Sequence, residues 1–252
     1  MASVSVVIPI YKETPLESEL ASFHQVIKTL KAYPIVLIAP KQLNLKAYRS
    51  SAGHVRIKRL PSKYFQDISS YNRLMLSPWF YFLFLRFKYI LIYQLDCWIF
   101  RDELINWCTK GYCYIGAPWN PDSKIDKELD FIFNRGSTIK KKSVQLLKKK
   151  KINTSIGNGG FSLRNTRKFF LVALIFNFII KKWESNEDYF WGLYCANLIP
   201  TFNVPPKPVA FQFAIEQNGP EIVKSQKDLP FGCHAWEKYD KVLWDKYVSY
   251  DR

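Results

Sequence analysis

The stretch that most constrains this chain is Tyr89-Ile90-Leu91-Ile92-Tyr93-Gln94-Leu95-Asp96-Cys97-Trp98-Ile99-Phe100, an apolar run with one carboxylate. Its composition predicts a buried central strand, because a strand covered on both faces loses the apolar/polar alternation of a half-exposed one. Asp96 then emerges where the strand ends. In open α/β sheets that is where ligands bind, so an acid there suits chemistry better than packing. Asp96 as the cap of a turn is the other reading, and the run alone leaves both open.

The flanking sequence supplies the rest of such a sheet. Val4 to Ile10 reads as a strand ended by Pro9, and Thr14-Pro15-Leu16-Glu17 as a helix start with Thr14 as N-cap, Pro15 as first helical residue and Glu17 closing a capping box. Leu16, Leu20, Phe23, Ile27 and Leu30 share one helical face. Pro34 to Ala39 and Val55 to Leu60 are the next strands. Ser69 to Phe87 reads as mostly helical, divided or kinked at Pro78. Strands alternating with helices predict a parallel sheet with helices on its faces.

Beyond the central strand, Asp102 to Trp107 is a short capped helix and Tyr112 to Ile115 a buried strand ending at Gly116-Ala117-Pro118-Trp119. From about residue 120 to 156 the pattern dissolves into lysines and asparagines, with at most a short helix near Ser143 to Lys149; little ordered backbone is expected there. Order returns at Gly157-Asn158-Gly159-Gly160-Phe161-Ser162-Leu163-Arg164, where paired glycines permit a close backbone approach and a short strand follows. A helix from about Thr166 to Lys182 is expected to bury Phe169 to Ile180. After it, Asn186-Glu187-Asp188 offers either two carboxylates for base catalysis or a helix cap, the cap being favoured on these residues alone. His234, between Gly-Cys and Ala-Trp in a turn-like setting, could hold a metal or a phosphate or be structural.

Composition bounds the partners. The 252 residues carry a net charge of +16, concentrated in Lys140 to Lys142 and Lys148 to Lys151, which favours anionic partners. Five cysteines with no CxxC pair argue against a disulfide framework and a zinc site. Met1 to Val4 lacks a charged n-region, and the greasiest stretches, Trp79 to Tyr93 and Phe169 to Ile180, are interrupted or fall short of the about 20 apolar residues of a spanning helix. A cytoplasmic location is therefore expected. With no Gly/Ser/Pro linker, residues 1–252 read as one domain carrying a lysine-rich insertion at about 120–156.

In their order these pieces resemble bacterial nucleotide-sugar glycosyltransferases of the GT-A fold, in the polysaccharide-biosynthesis group with Tyr-Gln-Leu-Asp, Gly-Ala-Pro-Trp and Gly-Asn-Gly-Gly-Phe-Ser-Leu-Arg motifs, here Tyr93 to Asp96, Gly116 to Trp119 and Gly157 to Arg164. The resemblance implies an α/β, Rossmann-like, mostly parallel central sheet flanked by helices. It implies a divalent metal, Mn2+ or Mg2+, on the donor diphosphate, held by Asp96 and His234. Gln94 stands where the family's motif has its first acid and is a poorer ligand for a hard cation.

The resemblance further places Pro9 and Tyr11 at the nucleotide, Asn72 and Arg73 at the donor, and Gly159 and Gly160 along the donor or acceptor pocket. Asp188 becomes the base that deprotonates the acceptor, with Glu187 as the alternate, and such a base implies inversion. The implied partners are a nucleotide-sugar donor, first a UDP-sugar, and a glycan or lipid-linked saccharide acceptor on the inner face of the membrane, with peripheral membrane contact and no nucleic acid. A noncatalytic module binding an anionic glycan or nucleic acid is the competing reading, with Gln94 as its support.

Overall fold

The computed structural model describes residues 3–49, 55–119, 157–226 and 228–248. The lysine-rich insertion and its expected short helix lie outside the described residues.

A six-stranded sheet in the order β3-β2-β1-β4-β7-β6 forms the centre. Its strands are β1 (Val4–Pro9), β2 (Ile35–Pro40), β3 (Val55–Leu60), β4 (Tyr89–Tyr93), β6 (Tyr114–Gly116) and β7 (Phe161–Asn165). β1, β2, β3 and β4 pair in parallel, whereas β7 runs against both β4 and β6. The sheet is thus mixed, with one reversed strand in an otherwise parallel set. That reversal matters for the site: pairing Tyr93 with Phe161 puts the start of β7 beside the end of β4.

Side chains alternate across this sheet as a two-residue period requires. Val6, Ile8, Leu91 and Tyr93 face a core that includes Phe23 and Val26 of helix α1 (Glu17–Thr29) and Leu30 just past its end. Val7, Ile90 and Ile92 face the opposite core, filled by Leu74 and Met75 of α3 (Ile68–Leu76), Phe80 of α4 (Pro78–Phe82) and Phe169 of α6 (Thr166–Ile175). A short α2 (Lys46–Arg49) lies between β2 and β3 in sequence. Helices on both faces bury β1 and β4 completely, which explains why neither strand alternates in hydropathy.

Several local expectations need correction. The N-cap of α1 is Leu16, not Thr14; Glu19, not Glu17, closes the start by accepting the Leu16 amide at 2.8 Å. The central strand ends at Tyr93, and Asp96 sits in a tight turn closed by Cys97 N donating to Gln94 O at 3.1 Å. The helix after β7 breaks at Phe176 into α6 and α7 (Asn177–Ile180), and Leu171, Leu174, Ile175 and Phe178 are exposed, not core. By contrast Ser77 and Pro78 separate α3 from α4 where the proline demands it.

After the Gln94–Cys97 turn the chain enters a second sheet, β5-β9-β8, built from β5 (Cys97–Ile99), β8 (Ala214–Ile215) and β9 (Gly232–His234). Between them come α5 (Leu104–Thr109), α8 (Glu187–Tyr189), a π-helical stretch Phe190–Cys195, α9 (Ala196–Leu198), α10 (Lys207–Phe213) and α11 (Gly219–Gln226), with α12 (Lys241–Trp244) last. His234 therefore belongs to a strand, not a turn, and pairs with Cys97. All five cysteines are free and buried. Among the described residues no helix is long and apolar enough to cross a membrane.

Candidate active site

A cavity of about 530 Å³ opens at the carboxyl ends of β1 and β4, lined by Pro9, Tyr11, Tyr71, Asn72, Gln94, Gly159, Gly160, Glu187, Asp188 and His234 among others. Nearly all residues singled out from the sequence meet here. Asp96 does not line the cavity but meets it through His234, its Oδ1 3.3 Å from Nε2. Arg73 is exposed on α3 and does not line the cavity.

Two glycines make room for this arrangement. A Cβ on Gly160 would collide with His234 Nε2 and Gln94 Oε1, and one on Gly159 with the Glu187 carboxylate. The pair thus lets backbone lie where side chains of three other segments converge. Gln94 N donates to Gly160 O at 2.9 Å, fixing the turn to the start of β7. The Gly-Ala-Pro-Trp motif braces the same loop: Gly157 N donates to Ala117 O, and the Trp119 ring lies 4.8 Å from that of Tyr189.

His234 is held from behind. Asn158, in the left-handed region at φ 33°, accepts the Gly160 and Phe161 amides on Oδ1, so its Nδ2 faces His234 Nδ1 at 2.7 Å. Glu216 Oε1 approaches the same nitrogen at 3.2 Å. These neighbours select opposite tautomers. Asn158 favours an Nδ1 lone pair, whereas Glu216 favours Nδ1–H and so a free lone pair on Nε2. Burial alone would lower the pKa of the imidazole, but Asp96 and then Glu216 outweigh it and carry it up to about 10. Burial would likewise raise the pKa of Asp96, yet His234 holds it below the ordinary value.

Asp96, Cys97 and His234 bring ligand atoms within 4.8 Å of one another. Two of the three fit a divalent cation. His234 Nε2 is buried and makes no aligned hydrogen bond, close as Asp96 is, and an imidazole nitrogen with a carboxylate oxygen suits Mn2+ or a similar ion. The Cys97 thiol does not fit, because burial raises its pKa far above the ordinary value and Sγ lies 3.5 Å from the Gly160 carbonyl.

Across the cavity, the two acids of Asn186-Glu187-Asp188 part company. Glu187 is buried and bound by Arg164, Nη2 to Oε1 at 2.7 Å and Nη1 to Oε2 at 3.1 Å. Asp188 is half-buried, with the Tyr189 amide donating to its Oδ1 at 2.9 Å. Burial and then the neighbouring Glu187 raise its pKa to about 7. Asn186 occupies the N-cap position but its side chain does not cap; it accepts from Asn72 Nδ2 at 3.1 Å, while Asn72 Oδ1 receives the Glu187 amide at 3.3 Å. Asn72 thus positions the acid pair from α3.

Sequence reasoning passed over Arg164, Asn158, Glu216 and Tyr71. Arg164 and Asn158 lie inside the Gly157 to Arg164 motif, which was the signal for them. Glu216 carries no motif. Tyr71 lines the cavity with its hydroxyl buried and without an aligned hydrogen bond among the described residues.

Among solved structures, the WbbM bifunctional glycosyltransferase is similar at a TM-score of 0.52 and 11% identity, covering 92% of this chain and 45% of that one. The chain thus spans less than half the length of WbbM. Core-mannan synthase A from Aspergillus fumigatus in an Mn/GDP form matches at 0.49 and 9%, covering 77% of this chain and 70% of that one. The galactosyltransferase LgtC with donor and acceptor sugar analogs matches at 0.49 and 13%, covering 91% and 86%. The WbbM likeness establishes the fold, the α/β architecture of GT-A glycosyltransferases. No curated protein sequence matches the chain. A family model matches residues 54–234, from the start of β3 through His234, and the chain belongs to that family, described as "Protein of unknown function (DUF5672)".

Proposed function

We propose that this chain is a nucleotide-sugar-dependent glycosyltransferase that acts on a glycan acceptor by inversion. The observation that carries the reading is a half-buried Asp188 with a pKa of about 7 on the wall of the same cavity as Gln94 and His234. A carboxylate with that pKa is a competent base near neutral pH, and the cavity lies where α/β sheets bind nucleotides.

In this reading Pro9 and Tyr11 border the nucleotide, and the backbone of Gly159 and Gly160 lines the sugar. Asp96 and His234 would hold a divalent metal, Mn2+ first, that offsets charge on the leaving diphosphate. Asp188 takes the proton of the acceptor hydroxyl as its oxygen forms the bond to the anomeric carbon, while the bond to the nucleoside diphosphate breaks on the opposite side. Glu187, committed to Arg164, orients α8 and raises the basicity of Asp188 instead of taking the proton itself. Arg73 has no part. The donor is a UDP-sugar and the acceptor a lipid-linked saccharide of surface-polysaccharide assembly, on the cytoplasmic face of the membrane, within a single domain spanning residues 1–252.

Calorimetry with a panel of nucleotide sugars, with and without Mn2+, followed by release of nucleoside diphosphate, tests this. One donor should bind, bind more tightly with metal, and turn over in wild type but not in Asp188→Asn. Gln94, a neutral amide in place of the motif's first acid, favours the noncatalytic alternative. Binding without turnover in any donor–acceptor pair, unaffected by Asp188→Asn, would select it.

A further inference from the structure

The helices that follow β7 turn apolar side chains outward. Leu171 is 50% exposed, Leu174 54%, Ile175 64% and Phe178 67%. Their spacing sets them in one row along α6 and α7, while Phe169, Val172 and Ala173 pack inward. Phe82 of α4, 59% exposed, widens the row, its ring 6.1 Å from that of Phe170. Soluble surfaces rarely gather so many large apolar groups in one place.

Along the segment that carries the row, from Thr166 to Trp183, the charges are all positive. Arg167 and Lys168 precede it, Lys181 and Lys182 follow it, and no acidic residue lies between Thr166 and Trp183. Arg167, Lys181 and Lys182 are exposed. An exposed apolar strip bracketed by long cationic side chains is suited to the bilayer interface: aliphatic and aromatic groups enter the acyl boundary while lysine and arginine stems reach out to phosphates. We propose that this face of α4, α6 and α7 docks the protein on an anionic lipid bilayer.

The topology gives docking a consequence. Six residues, Lys181 to Asn186, lead from the end of α7 to α8 and its acid pair, so docking of α7 is tied by a short connection to an element that lines the cavity. The proposal does not depend on the chemistry within that cavity.

Flotation of the full chain with vesicles of mixed phosphatidylcholine and phosphatidylglycerol, against phosphatidylcholine alone, provides the test. Wild type should float with the anionic vesicles and far less with the neutral ones. Leu174→Glu with Phe178→Glu should cut flotation about tenfold or more, with an unchanged melting temperature because both sites are exposed. Lys181→Glu with Lys182→Glu is the second arm and should weaken flotation on anionic vesicles alone. Wild type that does not float overturns the proposal, as does flotation equal in wild type and both variants, which would place the contact elsewhere. A wild-type dimer dissociated by Leu174→Glu with Phe178→Glu in sedimentation would assign the face to a second copy. Because flotation uses neither donor nor turnover, its failure leaves the transferase reading standing, and the converse holds.

Discussion

Arg164 holds Glu187 by a two-pronged contact, 2.7 and 3.1 Å, with both side chains buried between the sheet and α8. The guanidinium is also fully occupied elsewhere: Nε donates to Ser162 Oγ, Nη1 to Tyr81 Oη and Nη2 to Gly159 O. One cation thereby ties the glycine loop, β7, α4 and the acid pair together. Arg164→Ala leaves Glu187 buried and unpaired, and the expected loss is about 3–5 kcal/mol of stability. Urea unfolding measures it. Arg164→Lys should recover only part, because an ammonium cannot make the paired contact.

In the proposed transferase Asp188 sets the pH dependence. With a pKa of about 7, its base form is lost as pH falls, so kcat/KM should drop about tenfold per pH unit below 7. Glu187→Gln removes the adjacent negative charge and leaves the Arg164 cation uncompensated, so the acid limb should move to lower pH even as the fold weakens. A pH–rate profile of both proteins decides this. The same shift acts on stability in the opposite sense from a salt-bridged acid: the native state holds its proton more tightly than the unfolded chain, so this group's contribution declines as pH rises from the ordinary carboxyl range toward 7. Asp188→Asn should therefore lose turnover while melting no lower than wild type at pH 8.

In the proposed metal site Glu216 would act on the cation through His234. By favouring Nδ1–H it frees Nε2, and a partner of that kind is worth about 10–100-fold in metal affinity. Glu216→Gln should weaken Mn2+ binding by that factor in calorimetry without donor present. Asn158→Ala, which removes the competing tautomer's support, should not weaken it in the same way, although the loss of two amide contacts will loosen the loop.

Tyr71 presents a buried hydroxyl that makes no aligned hydrogen bond among the described residues, with the Gln94 side chain beside it. Removing a buried hydroxyl of that kind costs the fold little, whereas a ligand that meets it loses a hydrogen bond of about 1 kcal/mol. Tyr71→Phe should melt at or above the wild-type temperature and bind donor about fivefold more weakly. Equal donor affinity would show that the ligand does not reach it.

The parallel half of the sheet was legible because each strand carries its own boundary: Pro9 and Pro40 end β1 and β2, and β3 runs from Val55 to Leu60 as its composition indicates. Pro78 likewise divides α3 from α4. The motif residues Gln94, Gly159, Gly160, Asp188 and His234 could be named in advance, but their partnerships could not. Arg164 looked like one position in a short strand, and nothing local shows that it turns inward to an acid 23 residues further on. The apolar run around Asp96 concealed the change of sheet, since both strands are buried and read alike. Phe169 to Ile180 failed as a core helix for a related reason: hydropathy reports which residues avoid water, and only tertiary contacts decide which face finds cover.

Between β4 and β5 only Gln94, Leu95 and Asp96 intervene, so a single short turn carries the chain from the large sheet into the small one. Adding or deleting one residue there would send each side chain of β5 to the opposite face and replace Cys97 opposite His234 by a neighbour of the wrong orientation. This turn is therefore closed to changes of length. Diversification within the family is therefore expected by substitution at this junction and by insertion at the connections away from it, so that relatives should differ in their loops while keeping this spacing.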